Sequence, residues 1–367
     1  MKVKKLTLYN FRNIPSAELC FTDEMNFLLG DNAQGKTNAL EAIYLFARGK
    51  SFRGATDSEL TRFGERGYAV TLSFEKKDRE ETLFCSYTKK EKIRKRNGIL
   101  LEKQSELLGS FRAVLFSPDD LMMVKGSPSE RRRFLDVAIS QCYPAYLSLY
   151  AGYIKHLEQR NALLKQMKDG YYDPLSLEVW NEALAKGATD IYFYRKKYVD
   201  RLSVIAAALM RDLSKGKEEL KLSYDSNIKE NGDDREAVTE RYRHLFSAHT
   251  DREAMMGTTL FGVHRDELGI EIGNKAARDF ASQGQQRSVV LALKMAEGAL
   301  SREICGESPV YLFDDVLSEL DEERRAFLLS GMKGCQFIVT GCERSVLGTH
   351  GDGVNFIKVS NGSFEGE

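Results

Sequence analysis

Three short segments carry residue types whose spacing could do chemistry. The stretch "GDNAQGKT", Gly30 to Thr37, is a glycine-bearing turn closing on Lys-Thr, between the apolar "MNFLL" and the amphipathic "NALEAIYLF". Its glycines let the backbone curl, so that successive N–H groups of Gly30, Asp31, Asn32, Ala33, Gln34 and Gly35 can face phosphate oxygens. A helix starting near Gly35 adds its positive end; Lys36 can then reach β- and γ-phosphates, and the Thr37 hydroxyl can ligate Mg²⁺. In "PVYLFDDVLSELD" an apolar strand ends on Asp314 and Asp315. Adjacent carboxylates repel unless a proton or cation intervenes. Asp314 is therefore expected to bind Mg²⁺, directly or through water, and Asp315 to position or deprotonate an attacking water. The third segment is Ser282, Gln283, Gly284, Gln285 and Gln286, ahead of the apolar-periodic "RSVVLALKMAEGAL". A small hydroxyl and a glycine there make either a second anion site or an ordinary cap on a core helix.

These segments need elements to hold them. Up to about Phe116 the chain alternates strand-like runs, "VKKLTLYNF", "MNFLLG", "YAVTLSF", "ETLFCSY" and "AVLF", with one helix. Asn97-Gly98 is the preferred pair for a type I′ hairpin. Residues 129–168 and 173 to about 217 read as two antiparallel helices forming an arm, broken at "KDGYYDP", and Pro144 should kink or divide the first. "REAVTERYRHLFSA" is helical, and "KENGDDRE" is a short polar loop. Beyond about Leu260 a second α/β block holds "LGIEIG", "VYLFDD", "CQFIVTG" and "NFIKVS". The expected fold class is α/β: one nucleotide-binding head with a mixed sheet and packed helices, assembled from both chain ends, plus an inserted, mainly helical lobe. The expected boundaries are 1–116 (first half of the head, with an antiparallel subdomain), 117–250 (helical lobe) and 251–367 (second half of the head).

Composition narrows the function classes. Of 367 residues, 42% are hydrophobic and 29% charged, which suits a globular protein with a real core. Lys+Arg and Asp+Glu number 54 each, so any nucleic-acid contact must come from a local basic patch. The six cysteines are scattered without metal spacing and read as free thiols in a reducing compartment. No stretch is long and apolar enough to span a bilayer, so a cytoplasmic protein without membrane partners is expected.

The order of the segments is itself informative: phosphate loop, long helical insertion, Ser-Gln-Gly-Gln-Gln, acidic strand, "SELD". It is similar to that of the ABC-type ATPases related to SMC proteins. Over nearly its full length the chain resembles, more closely, the RecF family of bacterial recombination mediators. The residues that carry this are "LTLYNFRN", "GDNAQGKTNALEAIYLFARGKSFR", "LFSPDDLMMVKGSPSERRRFLD", "GVHRDEL", "ASQGQQRSVVLALKMAE" and "LFDDVLSELD". The resemblance implies ATP and Mg²⁺ as cofactors, weak, DNA-stimulated hydrolysis, and an ATP-dependent homodimer in which Ser282 to Gln286 act in trans as the signature. It makes Ser318 and Asp321 the D-loop, and Arg12, Asn38 and Arg53 candidate nucleotide contacts. It also implies DNA as partner and cooperation with RecO and RecR in loading RecA at gapped or single-stranded DNA, in repair, replication restart and the SOS response.

Two departures stand out. The second acid, Asp315, is one methylene shorter than the Glu usual in the wider class, so hydrolysis is expected to be slow. Ser117 and Thr340 stand only as placeholders where relatives carry a lobe-joining Gln and a switch His. For DNA, Lys89, Lys90, Lys92, Arg94, Lys95 and Arg96 on or beside the hairpin, and Arg131, Arg132 and Arg133 opening the arm, could neutralise backbone phosphates. Charges on an edge strand that block aggregation, or pairing of the arm arginines with Glu130 or Asp136, would also account for them. His264 lacks a second His at ligand spacing, so "HRDE" reads as a packing and interface motif. A transporter-type ATP-binding subunit and a metabolic phosphate-loop kinase are the competing classes. The inserted arm argues against the first, and the Ser-Gln-Gly-Gln-Gln helix against the second.

Overall fold

A computed structural model describes residues 1–103, 106–171, 173–228, 234–331, 334–350 and 353–366. Residues 229–233 of the expected polar loop "KENGDDRE" lie outside the described residues. The chain divides into two compact units: Met1–Leu121 with Ala208–Lys217 and Gln283–Glu367, and Met122–Ala207 with Glu218–Ser282.

The first unit is built on two six-stranded sheets. In one, the strands run in the order Ser363–Gly366, Asn355–Ser360, Met25–Leu29, Phe337–Gly341, Val310–Phe313, Ala113–Phe116. All its pairings are parallel except that of the terminal hairpin. The other is antiparallel and runs Ile14–Cys20, Lys2–Phe11, Gly67–Lys76, Arg79–Thr88, Lys92–Arg96, Ile99–Leu100. Parallel strands covered on both faces read as continuous apolar runs, and successive side chains point to opposite faces. Leu28, Leu115, Leu312 and Ile338 accordingly join one core with the helix Lys36–Arg48 and the antiparallel sheet. Phe27, Phe116, Phe313 and Val339 face the other way, onto Leu291 and Met295 of the helix Gln283–Cys305 and Leu328 of the helix Glu322–Gly331. The α/β head is thus assembled from both chain ends, as expected.

Ile14–Cys20 was not legible as a strand because Pro15 interrupts it; it lies at the sheet edge, where a missing N–H is tolerated. The hairpin at Asn97-Gly98 has positive φ at both residues, as type I′ geometry requires.

The second unit holds the helices Pro128–Cys142, Pro144–Lys168 and most of Pro174–Leu213. Pro144 divides the first predicted helix by opening a new one at a position where its missing N–H costs nothing. Partner numbers along the two long helices run in opposite directions: Tyr146 meets Tyr194, the Gly187 backbone lies against Tyr153, and Arg160 bonds Asn181. That pattern is antiparallel packing. The unit also contains a three-stranded antiparallel sheet, Lys275–Ala276, Glu267–Ile272, Leu220–Asp225. "LGIEIG", expected in the head, therefore belongs to the insertion's unit, as do residues 251–282 generally, while 208–217 pack with the head. Periodicity alone assigned the strand but not its sheet.

Candidate nucleotide-binding site

The strand Met25–Leu29 delivers the loop, and the helix Lys36–Arg48 begins directly on Lys36. Gly35 has φ +121°, a conformation closed to most side chains. Gly30 is required on other grounds, since a Cβ there would stand 2.3 Å from the Val359 carbonyl oxygen. Lys36 is buried, and its ammonium donates to the Gly30 and Asp31 carbonyls at 2.6 and 2.9 Å. Its Nζ also lies 3.6 Å from Cys342 Sγ.

At the end of the strand Val310–Phe313, separated from Met25–Leu29 by Phe337–Gly341 in the sheet, Asp314 Oδ1 accepts the Thr37 hydroxyl at 2.7 Å. Thr340 donates to the same oxygen at 3.2 Å and accepts the Asp315 N–H at 2.9 Å. Burial, with the nearby Asp315 charge, pushes the Asp314 carboxyl above the usual carboxylate range, opposed by the Thr37 hydrogen bond. Asp315 sits in the left-handed region, φ 55°, which short polar side chains tolerate. Among the described residues no three His, Cys, Asp or Glu side chains cluster as a metal centre. Thr37 and Asp314 are hard oxygen donors of the kind Mg²⁺ takes, and Mg²⁺ is commonly shared with substrate phosphates rather than caged by protein alone.

Loop, acids and surrounding arginines line one open cleft of about 1050 Å³. Its walls include Arg12, Asn13, Lys36, Thr37, Asn38, Arg53, Lys89, Ser117, Asp314 and Asp315. Arg12 makes two 2.8 Å hydrogen bonds to Glu41, a carboxylate fully buried on the phosphate-loop helix. Asn38 donates to Asn13 Oδ1 at 2.8 Å and accepts from Arg53 at 3.1 Å. Sequence reading passed over Asn13, Glu41 and Phe63. The last is a fully exposed aromatic on the rim, and an apolar ring amid the charged "TRFGER" was the available signal.

The RecF/RecN/SMC N terminal domain model matches residues 2–363. A DNA replication and repair protein RecF from an Exiguobacterium species is 40% identical over 333 residues, 90% of each chain. Another from Macrococcus caseolyticus is 39% identical over 364 residues, 98% of each. The chain belongs to the RecF family. A solved structure described as the recombination mediator protein RecF-ATPrS in the RecFOR pathway superposes with TM-score 0.93 at 33% identity, covering 99% of this chain and 97% of that one. An SMC head bound to part of ScpA aligns at TM-score 0.59 and 18% identity, a likeness of fold. The head is thus of the ABC/SMC ATPase type.

Within the same unit, Gln283 to Gln286, Ser318 and Asp321 are not among the residues that line this cleft. Ser282 is exposed just before the helix Gln283–Cys305, and Gln283 to Gln286 form that helix's first turn. Ser318 donates to the Asp315 carbonyl at 2.7 Å, and Asp321 accepts the Arg324 N–H at 2.9 Å.

The basic residues divide by environment. Lys92 pairs with Asp57, Arg96 grips Glu81 with bonds of 2.8 and 3.0 Å, and Lys95 lies over the Phe84 ring. Lys89 and Lys90 are exposed, while Arg94 is half-buried on its strand. Arg131 is buried: two of its nitrogens bond Glu267 at 2.7 and 2.8 Å, and a third donates to the Met123 and Gly126 carbonyls. Arg132 donates to the Asp266 carbonyl at 2.8 Å. Of the acids expected to pair with these arginines, Asp136 accepts Arg195 at 2.7 Å and acts on Arg132 through its charge, while Arg131 takes Glu267 instead. Arg133 follows directly on the same helix and is exposed. The "HRDE" motif is internal wiring: His264 meets the Tyr153 hydroxyl at 2.7 Å, Asp266 accepts from Tyr224 and Ser226, and Glu267 holds Arg131.

Proposed function

We propose that two copies of this chain close on ATP, each holding the nucleotide by Gly30 to Thr37 and capping its partner's γ-phosphate with Ser282 and the Gln283–Gln286 turn. The supporting observation is the cleft: it unites the phosphate loop with Asp314 and Asp315 but has no wall from Gln283 to Gln286. A phosphate bound there is left open on the side where a second anion-binding helix start can approach. Thr37 and Asp314 would hold Mg²⁺, which supplies charge neutralisation of the phosphates. Asp315 orients water from a short side chain, so hydrolysis is slow and resets the dimer. DNA contact, through Lys89, Lys90 and Arg94 foremost, stimulates the cycle. A solved relative described as a recombination mediator in the RecFOR pathway supports partnership with RecO and RecR. On this reading the dimer works with them to load RecA at gapped or single-stranded DNA in recombination repair, replication restart and SOS induction. The deciding experiment is sedimentation velocity with and without ATP and gapped DNA, on the wild type and on Ser282→Arg. The variant should bind ATP as a monomer yet fail to dimerise, and a Ser282→Arg protein that dimerises like wild type would exclude the two-copy site.

A further inference from the structure

We infer that Arg324 is a positioning residue that yokes the Ser318–Asp321 segment to the first turn of the helix Gln283–Cys305, so that both reach the opposite nucleotide as one rigid body. The inference rests on the two-copy site proposed above.

Arg324 lies in the first turn of the helix Glu322–Gly331, which Asp321 caps by accepting the Arg324 N–H at 2.9 Å. The Arg324 guanidinium pairs with the Asp321 carboxylate through Nη1. Its Nη2 donates to the Gly284 carbonyl at 3.2 Å, and its Nε donates to Ser288 Oγ at 3.0 Å. Ser288 is buried and donates in turn to the same Gly284 carbonyl at 3.1 Å. One side chain thus reads both segments at once. A second strap runs the opposite way, from Arg287 Nη1 to the Glu319 carbonyl at 2.9 Å.

The chemistry suits arginine alone. A guanidinium presents donors in a fixed planar fork, whereas a lysine ammonium on a flexible stem cannot hold three partners along three set directions. Two loosely joined segments would each have to be ordered when a second copy docks, and that ordering subtracts from affinity. Joined beforehand, they arrive together, and small misplacements of groups acting on a reacting phosphate cost rate steeply.

The test uses the full chain as Arg324→Ala, Arg324→Lys and Ser282→Arg. Readouts are ATP affinity of the monomer, the ATP-dependent dimer constant by sedimentation, and kcat and KM for hydrolysis. Arg324→Ala should bind ATP within about twofold of wild type while weakening the dimer and kcat by about tenfold, with KM unchanged; Arg324→Lys should not restore them. An Arg324→Ala protein that dimerises and hydrolyses normally, beside a Ser282→Arg protein that does neither, overturns the yoke and leaves the two-copy site standing. Loss of monomer ATP affinity also overturns it, because the residue would then act on its own cleft. A normally dimerising Ser282→Arg protein overturns the underlying site instead. Should Arg324→Ala melt below the assay temperature, Ser288→Ala carries the test: a dimer weakened about threefold supports the yoke, and wild-type affinity overturns it.

Discussion

Thr37, at the start of the phosphate-loop helix, and Asp314, at the end of the acidic strand, share a 2.7 Å hydrogen bond across 277 residues of sequence. The bond holds two hard oxygen donors side by side before any cation arrives. It also leaves a buried carboxylate facing a second acid, and the penalty of that arrangement can be measured.

Because burial raises the Asp314 carboxyl, the folded chain holds that proton more tightly than the unfolded one. Between the ordinary value and the raised one, stability falls as pH rises, and above it the loss is complete. Asp314→Asn, which keeps an acceptor for Thr37, should therefore raise the Tm of the nucleotide-free protein at pH 7.5 by about 1–3 °C. The same variant should lose the Mg²⁺-dependent part of stabilisation by ATP. Differential scanning fluorimetry with ATP, with and without chelator, checks both effects.

Asp315→Asn should lower kcat for hydrolysis by about 10²-fold and leave an ATP-bound dimer that persists on a sizing column. Asn tolerates the left-handed φ of 55° at this position, so the fold is kept and the change reads on chemistry.

The basic residues should separate cleanly into two classes. Replacing both Lys89 and Lys90 with Ala should leave the melting curve unchanged and reduce the slope of log affinity for DNA against log salt by about 2. Arg131→Ala should instead destabilise its unit by about 1–3 kcal/mol, because the Met123 and Gly126 carbonyls lose their donor and the partly buried Glu267 carboxylate loses its ion pair. Denaturation and a salt titration on the same two proteins separate the cases, and a stable Arg131→Ala protein with a reduced salt slope would reverse the assignment.

His264 offers a pH test of the second unit. Burial first, opposed by its hydrogen bond to the Thr259 carbonyl, lowers the imidazole pKa to about 4, while the unfolded chain keeps the ordinary value of 6.5. The unfolded state thus binds more protons between these values, so stability is intact above pH 6.5 and declines as pH falls toward 4. The loss should reach about 2 kcal/mol, allowing for partial solvent screening. Trp180, the single tryptophan, lies in the same unit, so its fluorescence in urea at pH 7.5 and 5 reports the effect. His264→Gln should flatten the difference.

Much of this site was legible in sequence for a local reason. A phosphate loop is one strand, one turn and one helix start, and Gly30, Gly35, Lys36 and Thr37 sit within eight residues that propensity and turn chemistry read together. Asp314 and Asp315 were legible because an apolar strand ends on them. What sequence withheld is pairing at a distance. Nothing local distinguishes Arg131, locked on Glu267, from Arg94, which merely looks alike in a basic run. Glu41 gave no signal because a carboxylate inside "NALEAIYLF" reads as a helix's polar face until Arg12 is placed upon it. The strand Glu267–Ile272 was correctly typed but assigned to the wrong unit, since alternation specifies a face and not a neighbour.

Among the described residues, the strand that carries the phosphate loop, Met25–Leu29, pairs with Phe337–Gly341 and Asn355–Ser360, both in parallel. During synthesis, then, the loop emerges early and waits for nearly the whole chain before the sheet that fixes it can close. Pairing across so much sequence should make the head slow to fold, because the loop-closure entropy is lost before the sheet repays it. Under the two-copy reading proposed above, a chain lacking Asn355–Ser360 should therefore pair poorly with an intact copy.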